Sequence, residues 1–180
     1  MTNINNNQRS DSELVLAIKN GDKNSFKEFY FRYYKMMIHY GYLHTHSMDV
    51  TRDLVQDLFF NVWKKRDGLD PEKSIKAYLY RALNNLIINN IKHSSSRTYS
   101  YESILDENKI SDQHDVAFEM DVQSALDFMP EKIKNVFLLS KVEGYKYQEI
   151  AEICEISIKT VEKRMSKALE YFRRKFKKYY

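Results

Sequence analysis

The strongest limit on how this chain can fold lies in two apolar stripes a few residues apart, between Tyr147 and Leu169, in YQEIAEICEISIKTVEKRMSKAL. Ile150, Ala151, Ile153 and Cys154 recur at helical spacing, and so do Val161, Met165, Ala168, Leu169 and Phe172. Each stripe makes one short amphipathic helix, and the residues between them suffice only for a turn. Ser157 stands where the second helix starts. Its hydroxyl can accept the otherwise unpaired amide two or three residues on, which makes it the expected N-cap. Ala151 is small enough to let the helices cross closely, with Ile156 and Val161 filling the angle between them. Lys159, Thr160, Glu162, Lys163, Ser166 and Lys167 then face away from the core. A helix-turn-helix presents the outward side of its second helix to base edges in the major groove. Those six residues and Ser157 are therefore the candidate DNA contacts, although an ordinary helical hairpin with a solvated face shares the pattern.

Charge separates the two readings. From Ile156 to Tyr180 there are nine basic residues against Glu162 and Glu170, a surplus of seven, whereas the whole chain carries only +4. Basic charge is concentrated on and just after the second helix, where phosphate contacts are needed. A merely solvated face has no reason to be so one-sided.

Four Gly and two Pro in 180 residues, with 43% hydrophobic and 30% charged residues, favour an all-α protein of one domain or two small ones. No window approaches the roughly 18 to 20 apolar residues of a membrane span, so no direct membrane insertion is expected. The segment MTNINNNQRS has neither the apolar stretch nor the cleavage pattern of a signal peptide, and residues 1–10 are read as a disordered tail. One cysteine excludes an internal disulfide framework, and the cytoplasm is the expected location. Cys154 itself falls on an apolar stripe and is read as a small core residue. His44, His46 and Asp49 are the only cluster that hints at a metal. They are expected in a turn, without the three or four ligands a site requires, and no cofactor is expected.

Along the chain, a short helix over Glu13 to Lys19 precedes a long one. Phe26, Phe29, Tyr30, Tyr33, Met37 and Tyr40 keep helical spacing after the capping and turn residues Gly21, Asp22 and Asn24. Val50, Leu54, Leu58, Val62 and Trp63 mark the next helix, started by Ser47 or Asp49. RDGLDPEKS, Arg66 to Ser74, is a loop broken by Gly68 and Pro71. A third long helix follows through Ile75, Tyr78, Leu79, Ala82, Leu83, Leu86 and Ile91, and these helices close a domain over residues 11–93. Residues 94–121 form an acidic linker, with seven acids between Tyr101 and Asp121 against Lys109. Helical pattern resumes at Val122, Ala125, Leu126 and Met129, is interrupted by Pro130 at a helix start, and runs through Ile133, Val136 and Phe137 to Gly144. The architecture is thus two small helical domains joined by a flexible acidic linker, the second, over 122–180, carrying the helix-turn-helix.

Two segments of the first domain hold more polar and aromatic groups than folding requires. In DLVQDLFFNVWKK, Asp53, Gln56 and Asp57 edge a helix whose Phe59 and Phe60 exceed the core stripe. In IKAYLYRALNNLIINNIK, Tyr78 and Tyr80 alternate with Arg81, Asn84, Asn85, Asn89 and Lys92. Aromatic faces beside basic and amide groups suit single-stranded DNA, which offers bases to stack on and a charged strand to neutralise. Plain core packing of the two tyrosines remains the alternative.

DLVQDLFFNVWKKR, SIKAYLYRALNN, the Pro-Glu-Lys at Pro130 and EGYKYQEIAEICEISIKTVEKRMSKALEYFR occur in the order of the RNA polymerase sigma factors of the sigma-70 family. From about Leu14 to Phe176 the chain resembles the two-domain extracytoplasmic-function group, and its wording is most similar to sigma factors of the Bacteroidetes. The resemblance implies that Asp53, Gln56, Asp57, Phe60 and Trp63 dock on core RNA polymerase. It implies that the loop Lys65 to Ser74, with Lys76, Tyr78, Arg81, Asn84, Asn85 and Lys92, opens the −10 promoter element and captures an unstacked base. Ser157, Lys159, Thr160, Glu162, Lys163, Ser166 and Lys167 would read the −35 element. The acidic linker would lie in the polymerase's nucleic-acid channel, and an anti-sigma protein, often membrane-bound, would be a further partner.

Tyr78 stands where the family often has Trp. Glu155 stands where the turn often has Gly, and a left-handed residue other than Gly costs on the order of 1 kcal/mol. A free-standing helix-turn-helix regulator is the competing reading, with the first domain as sensor or dimeriser. An enzyme acting on nucleic acid would need a nucleophile or a carboxylate-metal site. The carboxylates here are spread over helix surfaces and the linker, so no enzymatic activity is expected.

Overall fold

The computed structural model describes residues 9–94, 122 and 124–176. The expected linker, apart from its first residue, therefore lies outside the described residues, as does residues 1–8 of the expected tail. All regular structure among the described residues is helical, and contacts divide the chain into two compact units, residues 1–89 and 90–180.

The first unit begins with α1 (Asp11–Lys19). Ser10 caps it reciprocally: its hydroxyl takes the Glu13 amide at 3.2 Å while the Glu13 carboxylate takes the Ser10 amide at 2.7 Å. The Ser10 amide, and the Ser10 hydroxyl donating at 2.8 Å, hold the Glu13 carboxyl below its usual range. The expected tail therefore ends too late. Arg9 is already fixed, with its guanidinium on Glu28 of the next helix at 2.6 Å and on Ser25 at 2.6 Å.

Helix α2 (Lys23–Thr45) is capped by Asp22, whose carboxylate accepts the amides of Asn24 and Ser25. Its stripe Phe29, Tyr33, Met37 and Tyr40 is buried, whereas Phe26 and Tyr30 are half-buried against the next helix. Helix α3 (Met48–Lys64) is capped by Ser47, one of the two expected residues. It buries Thr51, Leu54, Val55, Leu58, Phe59 and Val62. The corner between α2 and α3 closes on a missing side chain. A Cβ built on Gly41 would stand 2.9 Å from Thr51 Cγ2, so glycine is what lets the helices approach there. Thr51 cannot easily give way, because its hydroxyl donates to the Ser47 carbonyl at 2.7 Å and meets Thr45 Oγ1 at 2.6 Å.

A 3-10 turn (Arg66–Gly68) opens the predicted loop, and buried Leu69 anchors it. Helix α4 (Ile75–Ser94) then buries Ile75, Leu79, Tyr80, Leu83 and Ile87.

In the second unit residues 124–127 make a helical turn before α5 (Glu131–Lys141), which follows Pro130 as its N-cap. The helix stops where expected, with Gly144 at φ 75° and the Tyr145 amide reaching back to the Leu139 carbonyl at 2.9 Å. Helices α6 (Tyr147–Cys154) and α7 (Ile158–Phe176) form the helix-turn-helix. Ile150, Ala151, Ile153, Val161, Met165 and Ala168 are buried with Val136, Leu138 and Leu139 of α5, a small aliphatic core. Leu169 departs from its predicted stripe and is exposed, while Phe172 packs on Phe137 at 4.7 Å between ring centres.

Candidate nucleic-acid interface and a second exposed helical face

The turn between α6 and α7 has the expected origin. Glu155 is left-handed at φ 54°, ψ 46°, and Ser157 caps α7 by accepting the Thr160 amide at 3.2 Å. From that start the helical period separates the predicted residues. Lys159, Glu162, Lys163, Ser166 and Lys167 are exposed on the side away from Val161, Met165 and Ala168. None of the three lysines is in an ion pair among the described residues, so their charge is available to an anion.

Thr160 differs from expectation. It is half-buried, and its hydroxyl lies 2.9 Å from the Ser157 hydroxyl, so the two are engaged with each other inside the cap. Ile158, which the sequence reading passed over, is a large apolar residue exposed at the first position of α7. At the other end of α7, Lys167, Glu170, Tyr171 and Arg174 face Pro130 and Ile133 across an open cleft of about 280 Å³. Arg174 is tied there to Glu170.

On α3 the structure brings Asp53, Gln56, Asp57 and Phe60 onto one exposed side, at intervals of three and four residues. Phe60 is 63% exposed and Lys64 Nζ lies 6.0 Å from its ring centre. Phe59 belongs to the core at 3% exposure, so only one of the two phenylalanines was surplus. Trp63 is not on this face in full. Its ring packs on Phe26 at 4.9 Å and under the Arg66 guanidinium at 4.8 Å, joining α2, α3 and the 3-10 turn. On α2, Phe31 is 67% exposed beside Tyr30, which stacks on Tyr34 at 5.0 Å. The aromatic run FYFRYY carried that signal.

On α4, Tyr78, Arg81, Asn85 and Lys92 share one side, whereas Lys76, two positions before Tyr78, lies on the opposite side. Tyr80 is fully buried against Tyr40 at 4.9 Å and is a core residue, while Tyr78 is half-buried. Asn84 is half-buried at the edge of the Tyr78 side. Its Oδ1 is screened from solvent and accepts no hydrogen bond among the described residues. In the preceding loop the Glu72 amide donates to Asp70 at 3.0 Å and, with Lys73, holds that carboxyl below its usual range.

His44 lies inside α2 and not in a turn. It is 4% exposed with its ring 4.7 Å from Tyr40, and only His46 is at the left-handed residue that ends the helix. No group of three or more His, Cys, Asp or Glu is placed to hold a metal ion among the described residues. Cys154 is half-buried and not fully in the core, and its sulfur accepts from Asn135 Nδ2 at 3.4 Å. No helix among the described residues is long and apolar enough to cross a membrane.

Two family models match the chain, sigma-70 region 2 over residues 29–97 and sigma-70 region 4 over residues 119–171. The chain is 22% identical over 177 residues to the ECF RNA polymerase sigma factor SigW of Bacillus subtilis, covering 91% of this chain and 95% of that one. It is 25% identical over 185 residues to the ECF RNA polymerase sigma-E factor of Haemophilus influenzae, covering 93% and 96%. The sigma-E factor of Escherichia coli K12 is 24% identical over 177 residues, covering 91% and 92%. Among solved structures, CnrH in complex with the cytosolic domain of CnrY has a TM-score of 0.69 at 20% identity, covering 89% of this chain and 93% of that one. The sigma factor RpoE of Bartonella quintana, solved with the anti-sigma factor NepR, has a TM-score of 0.68 at 21% identity, covering 84% and 96%.

Proposed function

Because the chain belongs to the sigma-70 family, in its extracytoplasmic-function group, we propose that it binds core RNA polymerase, directs it to particular promoters and helps open the −10 element. The row Asp53, Gln56, Asp57 and Phe60 on α3 carries this reading. The opposite side of the helix supplies the core, so nothing in the folding of the unit calls for a 63% exposed phenylalanine between carboxylates. An exposed aromatic ringed by polar groups suits a protein partner, and the partner fitting a sigma factor is the polymerase core.

Tyr78, Arg81, Asn85 and Lys92 on α4, with the loop Lys65 to Ser74, are assigned to the −10 element. Unstacking a base costs a few kcal/mol, which stacking on an aromatic ring and a pocket can offset. Asn84 borders that side without an exposed acceptor, its Oδ1 being screened from solvent, while Lys76, on the other side of the helix, can contribute only at the helix start. Lys159, Glu162, Lys163, Ser166 and Lys167 are assigned to the −35 element, with Ser157 and Thr160 serving chiefly to fix the start of α7. Such a subunit works in the cytoplasm and does no covalent chemistry itself. The acidic segment 94–121 is assigned to the polymerase's nucleic-acid channel. An anti-sigma protein that covers these faces is the regulator we expect, as the RpoE neighbour was solved with one. A membrane-bound form of it, and a Bacteroidetes source, rest on the resemblance of the motifs; the relatives matched come from Bacillus, Haemophilus and Escherichia.

Transcription in vitro with core polymerase from the same organism tests the proposal. Specific transcripts should appear only with the protein and fall at least tenfold on changing Asp57→Lys or Phe60→Ala, with the thermal unfolding curve unmoved. Trp63 is a poorer choice of variant, since its ring also holds α2 to α3. Duplex binding without any association with core polymerase would instead establish a free-standing regulator.

A further inference from the structure

We infer that Ile158 is a specificity-determining residue that reads the 5-methyl group of a thymine at the −35 element. The inference rests on α7 being the helix that enters the major groove there.

Ile158 is the first residue of α7 and heads the apolar stripe, three residues before Val161 and seven before Met165, yet it is 46% exposed where Val161, Met165 and Ala168 are buried. Nearly half of this β-branched side chain therefore stays open to solvent, at a helix N-terminus where small polar or acidic groups are favoured. The N-terminal part of a recognition helix carries base contacts. The two hydroxyls beside Ile158 are drawn into the cap of the helix. Ser157 Oγ holds the Thr160 amide at 3.2 Å and lies 2.9 Å from Thr160 Oγ1. The tip of the helix therefore offers hydrocarbon, and the hydrocarbon that the major groove displays is the thymine methyl. The branched side chain has few rotamers to lose on contact.

The neighbouring charges favour the same orientation. Glu162, one turn along from Ile158, is exposed and in no ion pair among the described residues, although Lys159 and Lys163 are close in sequence. A carboxylate on a phosphate-facing surface is repelled, but one aimed at base edges can accept from a cytosine amine. Ile158 and Glu162 then form the base-reading edge of α7, with the lysines disposed toward the strands.

The test begins with duplexes enriched from a random library by the full-length chain at low ionic strength, where phosphate attraction is greatest. In the best sequence each thymine is replaced in turn by deoxyuridine, which removes only the methyl. One position should lose roughly fourfold in affinity, the effect of a buried methyl group, with the intact protein and with Ile158→Val. Ile158→Ala should bind the thymine and deoxyuridine duplexes equally while keeping its helical circular dichroism. Equal sensitivity in wild type and Ile158→Ala, or no sensitive thymine, overturns the inference and leaves the −35 assignment standing. Failure to enrich any sequence overturns the −35 assignment and the inference together.

Discussion

The two units turn their corners by opposite uses of glycine. In the first, Gly41 sits inside α2, where glycine costs about 1 kcal/mol relative to alanine, because a side chain there would meet Thr51 at 2.9 Å. In the second, Glu155 occupies the left-handed position that ends α6, where glycine is the residue with no Cβ penalty. One corner accepts a conformational cost to gain a close approach; the other carries a side chain where the backbone prefers none. The lesson is that a helix-turn-helix fixed by its caps and small aliphatic core tolerates local strain. The aromatic corner between α2 and α3 is set by steric fit, which local propensity does not describe.

The largest effect that would break this contrast is Gly41→Ala. Despite the better helix former, we expect a loss of about 1–3 kcal/mol, the usual cost of overpacking, read from chemical denaturation. A neutral or stabilising result would show that Thr51 can move and that the close approach is not a constraint. Glu155→Gly should change stability in the other direction, by a gain of up to about 1 kcal/mol, partly offset by the greater freedom of glycine in the unfolded chain. A loss would mean that the glutamate side chain contributes more than its backbone costs.

The smallest expected effect sharpens a second contrast, in buried polar groups. The first unit buries Thr51 and Ser25, neutral and hydrogen-bonded, and the His44 ring against Tyr40. The second buries Lys134 at 2% exposure, with Asp127 at 4.0 Å. Burial pushes the Lys134 ammonium below its ordinary range, although Glu131 and Asp127 draw it back. Between that lowered value and about 10.5 the unfolded chain holds more protons than the folded one, so stability gains from Lys134 as pH rises through this window. Tyr145 acts in the opposite sense at alkaline pH, since burial raises its phenol. Lys134→Met isolates the lysine: its stability advantage over the natural protein should be greatest near neutral pH and shrink as the window is crossed. An advantage independent of pH would remove the lysine's titration as its cause.

Much of the second unit was legible in the sequence because its signals are local. Ser157 as N-cap, the left-handed Glu155, the stop at Gly144 and the basic outward face all follow from residues a turn apart. The first unit was harder to read because its aromatics are too many for period alone to sort. Phe59 and Phe60 are neighbours in sequence, yet one is core and the other 63% exposed. Tyr78 and Tyr80 divide in the same way, and Trp63, read as a polymerase contact, proves also to be a packing residue between Phe26 and Arg66.

By itself the sequence determined the helices, their order, the helix-turn-helix and the concentration of basic charge at the end of the chain. Spacing, caps and charge act over a few residues and need no neighbour from afar. Only the tertiary structure decided which aromatics face outward, why Gly41 must be glycine and that Lys134 is buried. It alone showed that the Ser157 and Thr160 hydroxyls are bonded to each other within the cap and that Ile158 stands half-exposed at the tip of α7. Each of these depends on what another part of the fold places against the residue, and close packing in three dimensions is what fixes that.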